Sequence, residues 1–162
     1  MNEPFIFEKT FPEGPKIAIH LKETSDGKTK IHLFKSEIFT ACFSMKSEKT
    51  PPNEHLLNWL TAYSQKENLP TLNLYRQKLP TFSEKVLNII NDIPFGKTLS
   101  YGEIAEKAGS PQACRAVGTI CRLNAWPLFI PCHRVLHKTE LTSKYAFGAL
   151  VKKALLEFEG VL

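Results

Sequence analysis

The chain has 162 residues, 43% hydrophobic and 23% charged, and 21 Lys and Arg against 16 Asp and Glu give a net charge of +5. That length holds one domain or two small ones, and that balance is ordinary for a globular protein and argues against a disordered chain. No apolar stretch reaches the roughly 18–20 residues of a membrane span, and Met1-Asn2-Glu3-Pro4 lacks the basic-then-apolar layout of a secretory leader, so a cytoplasmic protein (nuclear in a eukaryote) with reduced thiols is expected.

Residues 1–50 read as β-rich. Ile17, Ile19 and Leu21 alternate with Ala18, His20 and Lys22, Asp26-Gly27 marks a turn, and Ile31, Leu33 and Phe34 begin a return strand. Lys46 to Asn53 is polar, contains Pro51-Pro52 and reads as a loop. His55 to Lys66 reads as a helix with Leu56, Leu57, Trp59, Leu60 and Tyr63 on a broad apolar face. Leu69 to Leu79 is extended between prolines, which places a domain boundary there: residues 1–78 and 79–162.

The second half opens on a helix. Thr81 with Glu84 forms a capping box, and Phe82, Val86, Leu87, Ile89 and Ile90 follow at helical spacing until Pro94-Phe95-Gly96. Ser100 with Glu103 forms another capping box and opens a short helix that stops at Gly109. Ser110 then caps a third helix, with Pro111 at its first position. Two short helices across a tight turn read as a helix-turn-helix, a geometry that also serves plain packing. On the third helix Ala113, Val117 and Ile120 share the core face, while Arg115, Gly118 and Arg122 share the opposite one. Gly118 costs about 1 kcal/mol relative to alanine inside a helix. Close approach of a nucleic-acid backbone or of another helix would each account for it. From Lys107 to Lys138 there are Lys107, Arg115, Arg122, Arg134 and Lys138 and no acidic residue, which suits a polyanion partner or a solvated basic face.

Leu128-Phe129-Ile130 reads as a short buried strand that ends at Pro131, which has no N–H for a ladder. Beside it lies Cys132-His133-Arg134-Val135. A thiol next to a base that titrates near neutrality is a candidate nucleophile. Taken alone, it reads more readily as a small buried hydrophobe. The other cysteines, Cys42, Cys114 and Cys121, form no C-x₂-C pair. His133 and His137 have an i, i+4 spacing, but Pro131 and Val135 argue against a helix, so no metal site is expected. No glycine-rich phosphate loop or dinucleotide fingerprint occurs, and no cofactor is implied.

Taken together, Ser100-Tyr101, Ala113-Cys114-Arg115-Ala116-Val117-Gly118, Asn124, Ile130-Pro131-Cys132-His133-Arg134-Val135, Tyr145, Gly148 and Leu155-Leu156-Glu157-Phe158-Glu159-Gly160 resemble the O6-alkylguanine-DNA alkyltransferases, the methylated-DNA–protein-cysteine methyltransferases. The resemblance runs from about Thr81 to Gly160. It implies a two-domain α/β chain: an N-terminal ribonuclease-H-like domain and a mostly helical, winged-helix-like C-terminal domain with the helix-turn-helix. It implies a single-turnover reaction without a cofactor, in which Cys132 takes the alkyl group from O6-methylguanine, with O4-methylthymine a further candidate substrate. His133 would be the base, acting through a water, with Glu159 orienting it and Asn124 tying the turn together. The implied partner of this monomer is double-stranded DNA with an alkylated base, bound in the minor groove with the nucleotide flipped out. Arg115 would fill the vacated place and Tyr101 crowd the phosphate. Ala113, Ala116 and Gly118 would let the helix press close, and Ser110 and Arg122 would meet phosphates. The pocket would involve Val135, Tyr145, Ala146, Phe147 and Gly148.

This chain departs from the family at Ser143-Lys144-Tyr145-Ala146-Phe147-Gly148, where the usual pattern is close to Gly-Asn-Tyr-Ser-Gly-Gly. Ala146 lacks a hydroxyl for O6, and Phe147 in place of glycine is expected to narrow or reshape the pocket, so that methyl adducts are still repaired while adducts as large as benzyl react poorly. The competing readings are a non-enzymatic binder of alkylated DNA, a winged-helix regulator and a cysteine hydrolase. The first would lack the cysteine, the second would not need the Pro-Cys-His-Arg-Val segment, and the third has no use for a basic helix.

Overall fold

The computed structural model describes residues 6–24, 26, 28–35, 43–48, 52–74, 78–140 and 144–162. The chain separates into two compact units, residues 1–74 and 75–162.

The first unit carries β1 (Ile6–Phe11), β2 (Ile17–Glu23), β3 (Thr29–Lys35) and β4 (Phe43–Glu48) in the spatial order β1-β4-β2-β3. β2 and β3 pair antiparallel, with Ile19 opposite Leu33 and Leu21 opposite Ile31. Between them Thr24 N donates to Lys28 O at 2.7 Å; Gly27 of the expected turn lies outside the described residues. β4 pairs antiparallel with β1 and parallel with β2, so the sheet is mixed. The period-two alternation puts Ile17, Ile19, Leu21, Ile31 and Leu33 on one buried face. The loop expected from Lys46 is corrected, because β4 runs on to Glu48. Its backbone is paired on both sides, Lys46 with Glu8 and His20, Ser47 with Phe7 and Leu21, and ladder bonds are indifferent to side-chain polarity. α1 (Glu54–Ser64) starts at an Asn53 cap that accepts from His55 N, and it buries Trp59, Leu60 and Tyr63. The described residues from 65 to 80 hold neither helix nor strand.

The second unit runs α2 (Thr81–Asn91), β5 (Leu99–Ser100), α3 (Tyr101–Lys107), α4 (Cys114–Arg122), a 3₁₀ turn (Cys132–Arg134), β6 (Val135–Leu136) and α5 (Ala149–Phe158). The expected capping box at Ser100 and Glu103 is present in full. The one expected at Thr81 is not: the helix begins at Thr81 itself, with Pro80 as its cap and no side-chain cap bond. Glu84 then lies in the first turn, where a carboxylate favours the helix dipole.

Ser110 is also corrected. α4 begins at Cys114, with Ala113 as its cap. Ser110 belongs instead to the end of α3. Gly109 takes φ +82, its N–H meets Glu106 O, and Ser110 N meets Ala105 O at 2.9 Å. This is a Schellman motif, which needs glycine at the left-handed position. A turn from Ser110 to Ala113 follows before α4 starts.

α2 packs against α3, α4 and the 3₁₀ turn, and α5 packs against that turn from another side. Val86, Ile90, Ile104, Val117, Leu128, Ile130, Val135 and Leu155 are all at most 1% exposed. Each such aliphatic side chain contributes about 1.5–3 kcal/mol relative to exposure. β5 and β6 pair in parallel, Leu99 with Val135 and Ser100 with Leu136, which brings the start of α3 beside the 3₁₀ turn. No described helix is long and apolar enough to cross a membrane.

Candidate active site

The segment ahead of Cys132 is not a strand. Leu128 has φ +73, a left-handed conformation that costs a bulky residue about 1–3 kcal/mol. Its side chain is completely buried, which holds it there. The chain turns back at this point, and Ile130 N donates to Trp126 O at 2.8 Å. Pro131 then sits at φ −79, ψ 63, and Cys132 N meets Ile130 O at 2.7 Å, an inverse γ-turn. Two tight turns therefore deliver Cys132 to the start of the 3₁₀ turn.

Asn124 fastens this assembly. Its Nδ2 donates to Ile130 O at 2.9 Å and to Cys132 Sγ at 3.2 Å, while its Oδ1 accepts from Trp126 N at 3.0 Å. On another side the Tyr145 hydroxyl lies 4.0 Å from Cys132 Sγ. The thiol is 4% exposed. Burial pushes it up from the ordinary cysteine range, against the hydrogen bonds of Asn124 and Tyr145, so at rest it is neutral. Deprotonation needs a base.

His133 is such a base. It is fully buried, and burial draws its pKa down against the pull of Glu159. Its Nε2 lies 2.7 Å from Glu159 Oε1. Glu159 also takes a fork from Arg134, Nε to Oε2 at 2.8 Å and Nη2 to Oε1 at 3.0 Å. Burial works to raise the Glu159 carboxyl, but His133 and Arg134 together outweigh it and leave it at about 2. An ionised carboxylate can only accept, so Nε2 carries the proton and Nδ1 presents a lone pair. Nδ1 is buried and meets no hydrogen-bond partner among the described residues. The arrangement is a neutral imidazole with a free basic nitrogen and a carboxylate behind it, set to stabilise the imidazolium that forms on proton uptake.

Beside the thiol lies a cavity of about 650 Å³. Its wall includes Cys132, Tyr101, Arg115, Gly118, Arg122, Tyr145 and Ala146, drawn from both halves of the sequence-predicted set. Ser110, Ala113 and Ala116 lie off this wall, as do Val135, Phe147 and Gly148. Val135 is buried, and its carbonyl accepts from Lys152 Nζ at 2.7 Å. Phe147 packs edge-on against the ring of Tyr145, which does line the cavity. Burial lifts the Tyr101 hydroxyl to about 12, so it stays protonated.

Three residues escaped the sequence reading. Arg134 was counted with the basic face but is 3% exposed and belongs to Glu159 and the Ile93 carbonyl. Lys152 is 1% exposed. Its place between Val151 and Leu155 on the apolar stripe of α5 was a legible signal. Cys121 lines the cavity near Cys132, and burial lifts it to about 12. Its chain position on the cavity side of α4, next to Arg122, could have marked it. Among the described residues no His, Cys, Asp and Glu cluster suits a metal ion.

Residues 81–161 match the family described as 6-O-methylguanine DNA methyltransferase, DNA binding domain. The chain belongs to this methyltransferase family. The chain is 42% identical over 115 residues to the methylated-DNA–protein-cysteine methyltransferase of Methanocaldococcus jannaschii, which is 67% of this chain and 67% of that one. It spans about half the length of several further curated relatives. Among solved structures, the O6-methylguanine methyltransferase of Mycobacterium tuberculosis superposes with a TM-score of 0.63 at 27% identity, covering 88% of this chain and 92% of that one. The same organism's OGT in complex with DNA gives 0.60 at 35% identity, covering 68% and 70%. The chain is α/β, with five α-helices among the described residues.

Proposed function

We propose that this protein repairs O6-alkylated guanine in DNA by direct, irreversible transfer of the alkyl group to Cys132. The observation that carries the reading is the buried, unpartnered Nδ1 of His133 with Glu159 fixed behind its other nitrogen. In the reaction the Cys132 thiol gives its proton to His133 Nδ1 through a bridging water. The thiolate sulfur then attacks the alkyl carbon in line with the C–O6 bond. A carbon–sulfur bond forms, the carbon–oxygen bond breaks, and its electron pair stays on the guanine, which takes up a proton. The thioether has no route back to a thiol, so each molecule reacts once. Asn124, donating to Sγ, stabilises the charge as it develops on sulfur.

The duplex lies along α4. α3 and α4 act as a helix-turn-helix in a winged-helix-like domain, with the first unit as a ribonuclease-H-like companion. Arg115 and Arg122 are exposed on the cavity rim, which suits a phosphate-lined partner and a residue that enters the stack. Gly118 favours external contact: among the described residues a Cβ there would meet only Tyr101 Cε1, at an ordinary 3.9 Å, so their packing does not demand glycine. The small face is explained by a backbone pressed into a minor groove, with the alkylated nucleotide turned out into the cavity. The protein acts as a monomer.

Intact-protein mass after incubation with duplex DNA carrying O6-methylguanine tests this, with peptide mapping. One methyl group per protein, on Cys132, is the expected result. Tight binding without a mass gain would replace transfer with lesion recognition alone.

A further inference from the structure

We infer that Phe147 is a positioning residue for the alkyl-acceptor thiol: its ring braces Tyr145 and so holds the Tyr145 hydroxyl against Cys132 Sγ. The inference rests on the alkyl-transfer reading and deepens it at one side chain.

The local backbone sets up the brace. Gly148 N donates to Tyr145 O at 2.9 Å, which closes a turn over residues 145–148. Lys144 enters it at φ +62, and Gly148 leaves it at φ +93 as the cap of α5. Within this turn the Phe147 side chain folds back on Tyr145. The ring centroids are 5.6 Å apart and the planes meet at 64°, the edge-to-face arrangement that aromatic pairs favour. Both rings are half-buried. Tyr145 lines the cavity and Phe147 does not. Phe147 therefore acts on the site through Tyr145 and not as a wall of the pocket.

The hydroxyl it steadies lies 4.0 Å from Sγ, the outer limit of a sulfur hydrogen bond. At that range a small swing of the ring decides whether the hydroxyl donates to a thiolate. At rest the thiol donates towards the Tyr145 oxygen, and Asn124 Nδ2 donates to the sulfur at 3.2 Å. The titratable groups around Cys132 are Tyr101 from α3, Cys121 from α4, Lys152 from α5, Tyr145 and the adjoining His133. Among these groups, Phe147 packs on Tyr145.

The test is a double-mutant cycle on the full chain with Phe147→Ala, Tyr145→Phe and the pair. Two quantities are read: the single-turnover rate on O6-methylguanine duplex DNA, and the pH profile of Cys132 alkylation by iodoacetamide. Phe147→Ala should slow transfer roughly three- to tenfold, the loss expected from one aromatic pair, and move the iodoacetamide profile to higher pH. In the Tyr145→Phe background the same change should do almost nothing. Phe147→Tyr, which keeps a ring, should stay close to the parent. Equal effects of Phe147→Ala in both backgrounds, or an unmoved pH profile, would overturn the inference. A parent protein that alkylates with iodoacetamide but never takes methyl from DNA would instead defeat the transfer reading, and the iodoacetamide cycle would still decide the role of Phe147.

Discussion

Replacing Glu159 with glutamine tests the base directly. The carboxylate accepts from His133 Nε2 at 2.7 Å, from Arg134 at 2.8 and 3.0 Å, and from Gly96 N at 3.3 Å, and its side chain is wholly buried. A glutamine has one acceptor oxygen. Its NH₂ must face either the imidazole N–H or the guanidinium, and neither can accept from it. Breaking a buried ion pair in this way costs about 3–5 kcal/mol, which for a chain of this length lowers Tm by on the order of 10 °C. The kinetic effect is separate. Without a carboxylate behind it, His133 gains little from taking the thiol proton, and general-base assistance of roughly 10²–10⁴ is lost. Single-turnover methyl transfer should be followed from pH 6 to 10, well below the variant's Tm. The parent rate should level off near neutrality, whereas Glu159→Gln should keep rising with pH as hydroxide replaces the base. A folded Glu159→Gln protein that reacts within about threefold of the parent, with a parallel pH profile, would refute the role given to this carboxylate.

Cys132→Ala should abolish transfer while leaving affinity for alkylated duplex intact, measured by mass and by gel shift. Residual methyl uptake elsewhere on the chain would contradict the assignment of the acceptor. Arg115→Ala should slow repair in duplex DNA about tenfold or more yet barely change reaction with free O6-methylguanine; equal losses on both substrates would remove it from the DNA-facing role. Stability should fall in acid in two stages. His133 is held below its ordinary 6.5, so the unfolded chain takes up a proton first as pH drops through that value. Glu159, held at about 2 against an ordinary 4.5, contributes stability that is complete above 4.5 and lost between 4.5 and about 2. Denaturant melts with no slope between pH 7 and 5 would count against a buried neutral His133. Methylation of Cys132 should lower Tm, because it puts an apolar group where Asn124 Nδ2 meets the sulfur, in a closely packed turn.

Periodicity made much of the scaffold legible. The alternation of Ile17, Ile19 and Leu21 gave the hairpin face, and Ser100 with Glu103 gave the start of α3, because both are local signals. The failures were also local. Ser110 looks like a cap, but its N–H already closes the end of α3. Leu128-Phe129-Ile130 has the apolar run of a strand, and nothing in three such residues announces a left-handed leucine. Within the site, Cys132 and His133 were marked by their neighbours in the chain, whereas Asn124 came from the resemblance. Glu159 was reached only through resemblance, since one glutamate near a helix end carries no sign that it is buried. Arg134 was misread for the same reason: its charge is visible in the sequence, while its partner is long-range.

The pairing of His133 with Glu159 spans 26 positions in the chain, whereas Cys132 and Asn124 lie eight apart and meet within one stretch of polypeptide. The base is complete only with α5 docked and Glu159 under the imidazole. Nucleophile and base therefore answer to contacts of different range: a perturbation that loosens α5 alone would part His133 from its carboxylate while Asn124 still holds the sulfur.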